Sequence, residues 1–151
     1  MIQQENPTRA DLALLFARHT ADMHADTPPE SIHMMDAADL AIPQVHFFVL
    51  RQEGEPIAMG AFKIFEPSHA EIKSMHVLSE HRGKGLSRII LAHLVAAAKT
   101  AGVLRLSLET GSQDSFTAAR VLYEKAGFTE CPPFGDYVLD PMSVFMTRTL
   151  A

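Results

Sequence analysis

The segment HRGKGLSRII, residues 81–90, constrains the fold of this 151-residue chain more than any other stretch. Two glycines bracket a lysine, an arginine precedes them, and an apolar helical run through KTA follows. Just before it, EIKSMHVL (71–78) reads as the end of a strand that starts at residue 69. After the helix, Gly102 is a stop signal and VLRLSLE (103–109) reads as another strand. A strand, a crossover helix and a second strand in one sheet put strands 69–78 and 103–109 parallel. At a helix start several backbone N–H groups have no intrahelical acceptor and carry partial positive charge. Glycine removes the Cβ that blocks close approach and permits positive φ. Arg82, Lys84 and Arg88 surround the same point. The combination suits an anion, above all a phosphate, held against the helix N-terminus.

The rest of the chain reads around that crossover. IQQE (2–5) is a short first strand, and Thr8 is placed to cap a helix through DLALLFARHTADMHA. Residues 29–40, PESIHMMDAADL, read as a second, short helix with proline in its first turn. VHFFVLRQ and PIAMGAFKIF, joined by EGEP, form an antiparallel hairpin, and HAEIKSMHVL continues the meander. Asp114 or Ser115 is placed to cap FTAARVLYEKA, which turns Ala119, Leu122, Tyr123 and Ala126 inward; Gly127 ends it. CPPFGDYVLDP is a turn-rich connection and SVFMTRTL a last strand. The expected fold is α/β in content. It has a mixed, mainly antiparallel sheet with helices on both faces, and one domain spans residues 1–151.

Composition narrows the function classes. The net charge of −5 argues against non-specific nucleic-acid binding, so an anionic ligand needs a local basic feature such as the loop. A single cysteine, Cys131, forms no internal disulfide and lacks an obvious base partner, which makes it a structural thiol. The longest apolar run is broken by His93 and is too short for a bilayer, and the N-terminal stretch carries no signal-peptide pattern. A cytoplasmic protein with no membrane partner is the expectation. Eight histidines occur without an HExxH motif, so no metal is expected, and Ser112 stands outside any G-x-S-x-G elbow.

The glycine loop lacks the spacing of a P-loop, and it fails the dinucleotide G-x-G-x-x-G pattern because Arg88 holds the last position. It does fit [Q/R]-x-x-G-x-[G/A] through Arg82, Gly83, Lys84, Gly85 and Leu86, with Ser87 replacing the usual small residue. Together with LYEKAGF (122–128), this resembles the GNAT superfamily of acetyl-CoA-dependent N-acetyltransferases over nearly the whole chain. The stretches PPESIHMMD, EIKSM, LSLETG and PFGDYVLDP are similar to a bacterial subgroup of it.

The resemblance implies direct acetyl transfer from acetyl-CoA to a primary amine, with the pyrophosphate on residues 82–87. Met75, His76 and Val77 match the positions whose backbone binds pantetheine, and one of their N–H groups is the implied oxyanion donor. Tyr123 matches the tyrosine that protonates the departing thiolate, and Ala119 leaves room for the cosubstrate. The asparagine usual seven residues before that tyrosine is absent, since position 116 is Phe; Ser112 and Gln113 are the nearest substitutes. Family habit implies a homodimer. For the base that deprotonates the amine, the residues offer two groups: Glu30, His33 and Asp36 on the expected short helix, and Glu71 and Glu109 on the two strands flanking the cleft. Two other classes stay open: a non-catalytic acyl-CoA sensor, which needs the loop but no base, and a nucleotide-dependent regulator.

Overall fold

The computed structural model describes residues 1–150. Seven strands form one sheet in the order β1-β2-β3-β4-β5-β7-β6. These are β1 (Ile2–Gln4), β2 (Val45–Gln52), β3 (Glu55–Glu66), β4 (His69–Val77), β5 (Arg105–Gly111), β6 (Thr129–Glu130) and β7 (Ser143–Thr149). All neighbours pair antiparallel except β4 and β5, which are parallel, as the crossover requires. The expected mixed, mainly antiparallel sheet is the observed one. Among the described residues the sequence reading missed only one strand, the two-residue β6.

Four helices cover the sheet: α1 (Ala13–Asp26), α2 (Ala37–Leu40), α3 (Leu86–Thr100) and α4 (Thr117–Lys125). Period-2 alternation divides the strands between two cores. Phe48, Phe62, Ala70, Ile72, Leu106 and Leu108 face α3 and α4, where Ile90, Leu91, Leu94 and Tyr123 meet them. Phe47, Val49, Met59 and Ala61 face the other way, against Leu12, Leu15 and Leu40. Helices α3 and α4 end by the same device. Gly102 and Gly127 take positive φ, and the following amides, Val103 and Phe128, donate back to Ala98 O and Tyr123 O, each at 3.0 Å.

Two local expectations are corrected. Residues 29–40 are not one helix: a 3-10 turn covers Pro29–Ser31, Ile32 is extended, and α2 starts only after Asp36, whose carboxylate accepts from Asp39 N at 2.8 Å. Tertiary ties replace the helical ones. Ser31 Oγ donates to Asp140 at 2.7 Å, and the His33 ring stands edge-on to Tyr137 with centroids 5.1 Å apart. Nor do side chains cap the helices as expected. Thr8 donates to Asn6 Oδ1 in a local turn, and neither Asp114 nor Ser115 caps α4, because a 3-10 turn over Asp114–Phe116 leads into it.

Candidate functional site

β4 and β5 pair only from His69↔Arg105 to Glu71↔Ser107. Beyond that point they separate. Below it they are clamped: the His69 ring meets Ser107 Oγ at 2.6 Å, and Ser107 meets Thr147 Oγ1 at 2.9 Å. Above it, one cavity is lined by Ile72 and Leu108 from one face of the sheet and by Lys73 and Glu109 from the other. A cavity with lining from both faces must run through the gap between the strands.

The irregularity that shapes β4 sits beside this gap. Between Met59↔His76 and Ala61↔Lys73 the strand carries one extra residue, and Ser74 adopts φ 58. The bulge reverses the alternation: Ala70 and Ile72 face α3, and so do Met75 and Val77. His76 therefore points to the α1 face, buried against His19 with ring centroids 5.2 Å apart. Burial lowers the pKa of both, His19 to about 4. His19, not His76, lines the cavity.

Glu71 and Glu109 lie in the cavity in different states. Glu71 is paired: Lys73 Nζ stands at 3.1 Å, and the Tyr137 hydroxyl donates to the same carboxylate. Among the described residues Glu109 forms no ion pair. Burial, with the Glu71 charge nearby, pushes its pKa up to about 7, partly opposed by the Ser143 hydroxyl and Lys73. Tyr123, one turn after Ala119 on α4, lines the same cavity. Burial and then the Glu109 carboxylate push its phenol up to about 12, so it holds its proton at neutral pH.

The loop stands at the far end of β4. Gly83 and Gly85 have φ 80 and 77, and no neighbouring atom lies within 4 Å of the position a Cβ would take on Gly83. The first helical bond of α3 is Ile89 N–H to Gly85 O, and the amides of residues 83–88 have no backbone acceptor among the described residues. Lys84 and Arg88 make no ion pair among the described residues. Arg82 is already engaged, donating to Val77 O at 3.0 Å and Asp22 Oδ2 at 2.7 Å. It ties the loop to the end of β4 and to α1. Leu86 and Ser87 are half-buried in the first turn of α3.

Other residues fall elsewhere. Glu30 is exposed and does not line the cavity, and Asp36 is exposed as the α2 cap, so Glu30, His33 and Asp36 share no helix face. Ser112 donates to Pro141 O at 2.6 Å and Gln113 to Asp26 O at 2.8 Å, and neither side chain lines the cavity. Sequence reasoning missed Tyr137 and the pairing role of Lys73. The aromatic in PFGDY was the available signal, but nothing in the sequence says that the loop folds over β4. Among the described residues no group of three His, Cys, Asp or Glu side chains is arranged for a metal, and no helix is long and apolar enough to cross a membrane.

Comparison with known proteins agrees with this architecture. The model of the acetyltransferase (GNAT) family matches residues 14–128. The chain is 41% identical over 149 residues to the uncharacterized N-acetyltransferase YsnE of Bacillus subtilis, covering 99% of both chains. It is also 41% identical over 150 residues to the uncharacterized N-acetyltransferase YedL of Escherichia coli, covering 99% of this chain and 94% of that one. A crystal structure from Klebsiella pneumoniae, of a candidate acyl-CoA N-acyltransferase, superposes with a TM-score of 0.82 at 29% identity, over 100% of this chain and 97% of the other. Family match, full-length relatives and sheet topology converge: the chain belongs to the GNAT family of acetyltransferases.

Proposed function

We propose that the protein moves the acetyl group of acetyl-CoA directly to a primary amine, with Glu109 as the proton acceptor and Tyr123 as the proton donor. One observation carries the reading: the cavity in the gap between β4 and β5 holds a carboxyl without an ion-pair partner among the described residues and a protonated phenol, and β4 leads on from it to the glycine loop.

The residues fit such a substrate. Amides at the start of α3, with Lys84 and Arg88, supply donors and charge for a pyrophosphate. The edge of β4 beyond Glu71 has lost its β5 partner, so the backbone along Met75, His76 and Val77 is open to a pantetheine laid in as an extra strand, apart from Val77 O, which Arg82 already holds. An N–H there is the donor for the carbonyl oxygen as it gains charge. The neutral amine forms the new C–N bond and gives up a proton, which Glu109 accepts directly or through water. A group with its pKa near 7 is well matched to that task at neutral pH. The C–S bond breaks, and the thiolate takes the Tyr123 proton. Glu71 is held in place by Lys73 and Tyr137. The exposed Glu30 has no part in these steps.

The test is thiol release from acetyl-CoA across a panel of amines, alongside CoA affinity of the Gly85→Val variant. Valine at φ 77 crowds the phosphate side of the loop. Amine-dependent release by the parent, and CoA affinity lowered at least about tenfold in a folded variant, are expected. Unchanged affinity removes the loop from the site. Tight CoA binding with no amine-dependent release turns the reading to an acyl-CoA sensor.

A further inference from the structure

The cavity at Glu109 adjoins a second one of about 360 Å³, and His33, Glu71 and Tyr137 line both. That volume lies within the range of small-molecule sites. The second cavity is bounded by Lys63 and Phe65 of β3 and by Phe134 and Tyr137 of the connection between β6 and β7.

Its aromatic walls are built rather than incidental. Phe65 and Phe134 lie near-parallel with centroids 5.9 Å apart, and Phe134 stands edge-on to Tyr137 at 5.2 Å. Phe145 of β7 backs both Phe134 and Tyr137, at 5.9 and 5.4 Å. Such walls favour a planar apolar body. Charge adds a second requirement. Lys63 is half-buried and makes no ion pair among the described residues, and its cross-strand partner Glu71 is already taken by Lys73 and Tyr137. The other acid of this cavity, Asp136, is exposed at the rim, where water screens it. A polyamine would set a cation against Lys63 and leave the aromatic walls unfilled.

We propose that the acceptor is a primary amine on a planar aromatic body that also carries a carboxylate: the amine passes the Glu71–Tyr137 wall toward Glu109, the ring lies against Phe65 and Phe134, and the carboxylate pairs with Lys63. The proposal rests on the transfer reading above. Amine and carboxylate lie on opposite sides of the shared wall, so charges at opposite ends of a ring fit better than the two charges of an α-amino acid, which share one carbon.

The test compares kcat/KM for para-aminomethylbenzoate, its carboxamide, benzylamine, L-phenylalanine, spermidine and an aliphatic ω-amino acid of similar length. Para-aminomethylbenzoate is expected to lead its carboxamide and benzylamine by about tenfold or more, a step typical of one charged contact. Lys63→Gln should erase the gap between acid and carboxamide. Phe134→Leu should erase the lead over the aliphatic ω-amino acid, chiefly through KM. Equal values for acid and carboxamide, or a lead for spermidine or L-phenylalanine, overturn the proposal. If no amine is acetylated, ligand-observed NMR of N-acetyl-para-aminomethylbenzoate with CoA decides. Binding that Lys63→Gln abolishes keeps the pocket and sinks the transfer reading; no binding to the folded parent overturns the pocket.

Discussion

Glu109 and Tyr123 each change the other's hold on a proton, because both lie in the same poorly solvated cavity. As Glu109 loses its proton, its charge raises the cost of ionising Tyr123, so the state that accepts from the amine also keeps the donor loaded. Glu109→Gln keeps the shape and removes the titration. Turnover should fall by about 10²-fold or more, and the rise of the parent rate with an apparent pKa near 7 should vanish from the pH profile. The same variant should be more stable. The folded pKa of Glu109, about 7, lies above its ordinary 4.5, so its contribution is full below pH 4.5 and is lost as pH rises through 7. At about 1.4 kcal/mol per unit, the variant should gain up to roughly 3 kcal/mol over the parent above pH 7 and nothing below pH 4.5. Denaturant unfolding at those two pH values measures the difference. Tyr123→Phe should lower turnover by about 10²-fold with CoA affinity unchanged, because only a hydroxyl without a hydrogen-bond partner among the described residues is removed. A phenylalanine variant with the parent rate would make Tyr123 a core residue alone.

At the scale of elements, the site depends on a strand that breaks its own pattern. The bulge at Ser74 brings Met75 to the α3 face, and the opposite strand answers with a glycine. A Cβ on Gly60 would stand 2.8 Å from Ile90 Cγ2, 2.9 Å from Met75 Sδ and 3.1 Å from Leu94 Cδ1. Gly60 therefore allows β3, the bulge and α3 to pack together. Gly60→Ala should cost about 1–3 kcal/mol by overpacking, read from chemical denaturation. Because relief comes most easily from Met75, CoA affinity should weaken in the same variant. A fully stable variant with parent affinity would show that the contact yields freely.

Over the whole molecule, two buried systems with opposite signs set the pH response. His19 has a folded pKa of about 4 against an ordinary 6.5, so its neutral form supports the fold above 6.5 and that support is lost as pH falls toward 4. His76 acts in the same direction, held down by burial despite Asp22 beside it. Glu109 acts in the opposite direction between 4.5 and 7. The parent melting temperature should therefore change little between pH 5 and 6.5. It should rise with pH in Glu109→Gln, where the histidines act alone, and its slope should shift downward in His19→Gln. Thermal scans in matched buffers check all three slopes, and a Glu109→Gln profile as flat as the parent's would remove Glu109 from the balance.

The sequence determined the sheet and the loop because both are written in local patterns. Alternation placed β2, β3, β4 and β7 within about a residue, and strand, glycine turn and apolar helix in succession forced β4 and β5 parallel. Gly102 and Gly127 marked helix ends because only their backbone freedom makes that turn inexpensive. Glu71, Glu109 and Tyr123 were legible as polar or phenolic groups on elements flanking a cleft. What they do was not. The free state of Glu109 and the paired state of Glu71 follow from Lys73 and from Tyr137, a residue 66 positions from Glu71 in a turn-rich connection without periodic signal. The short helix expected over residues 29–40 failed for the same reason: Ser31 and His33 are held by Asp140 and Tyr137, and such distant ties outweigh weak local propensity. Local sequence specifies backbone periodicity, whereas the charge state of a buried group depends on which distant side chains share its cavity, and only the folded chain brings those together.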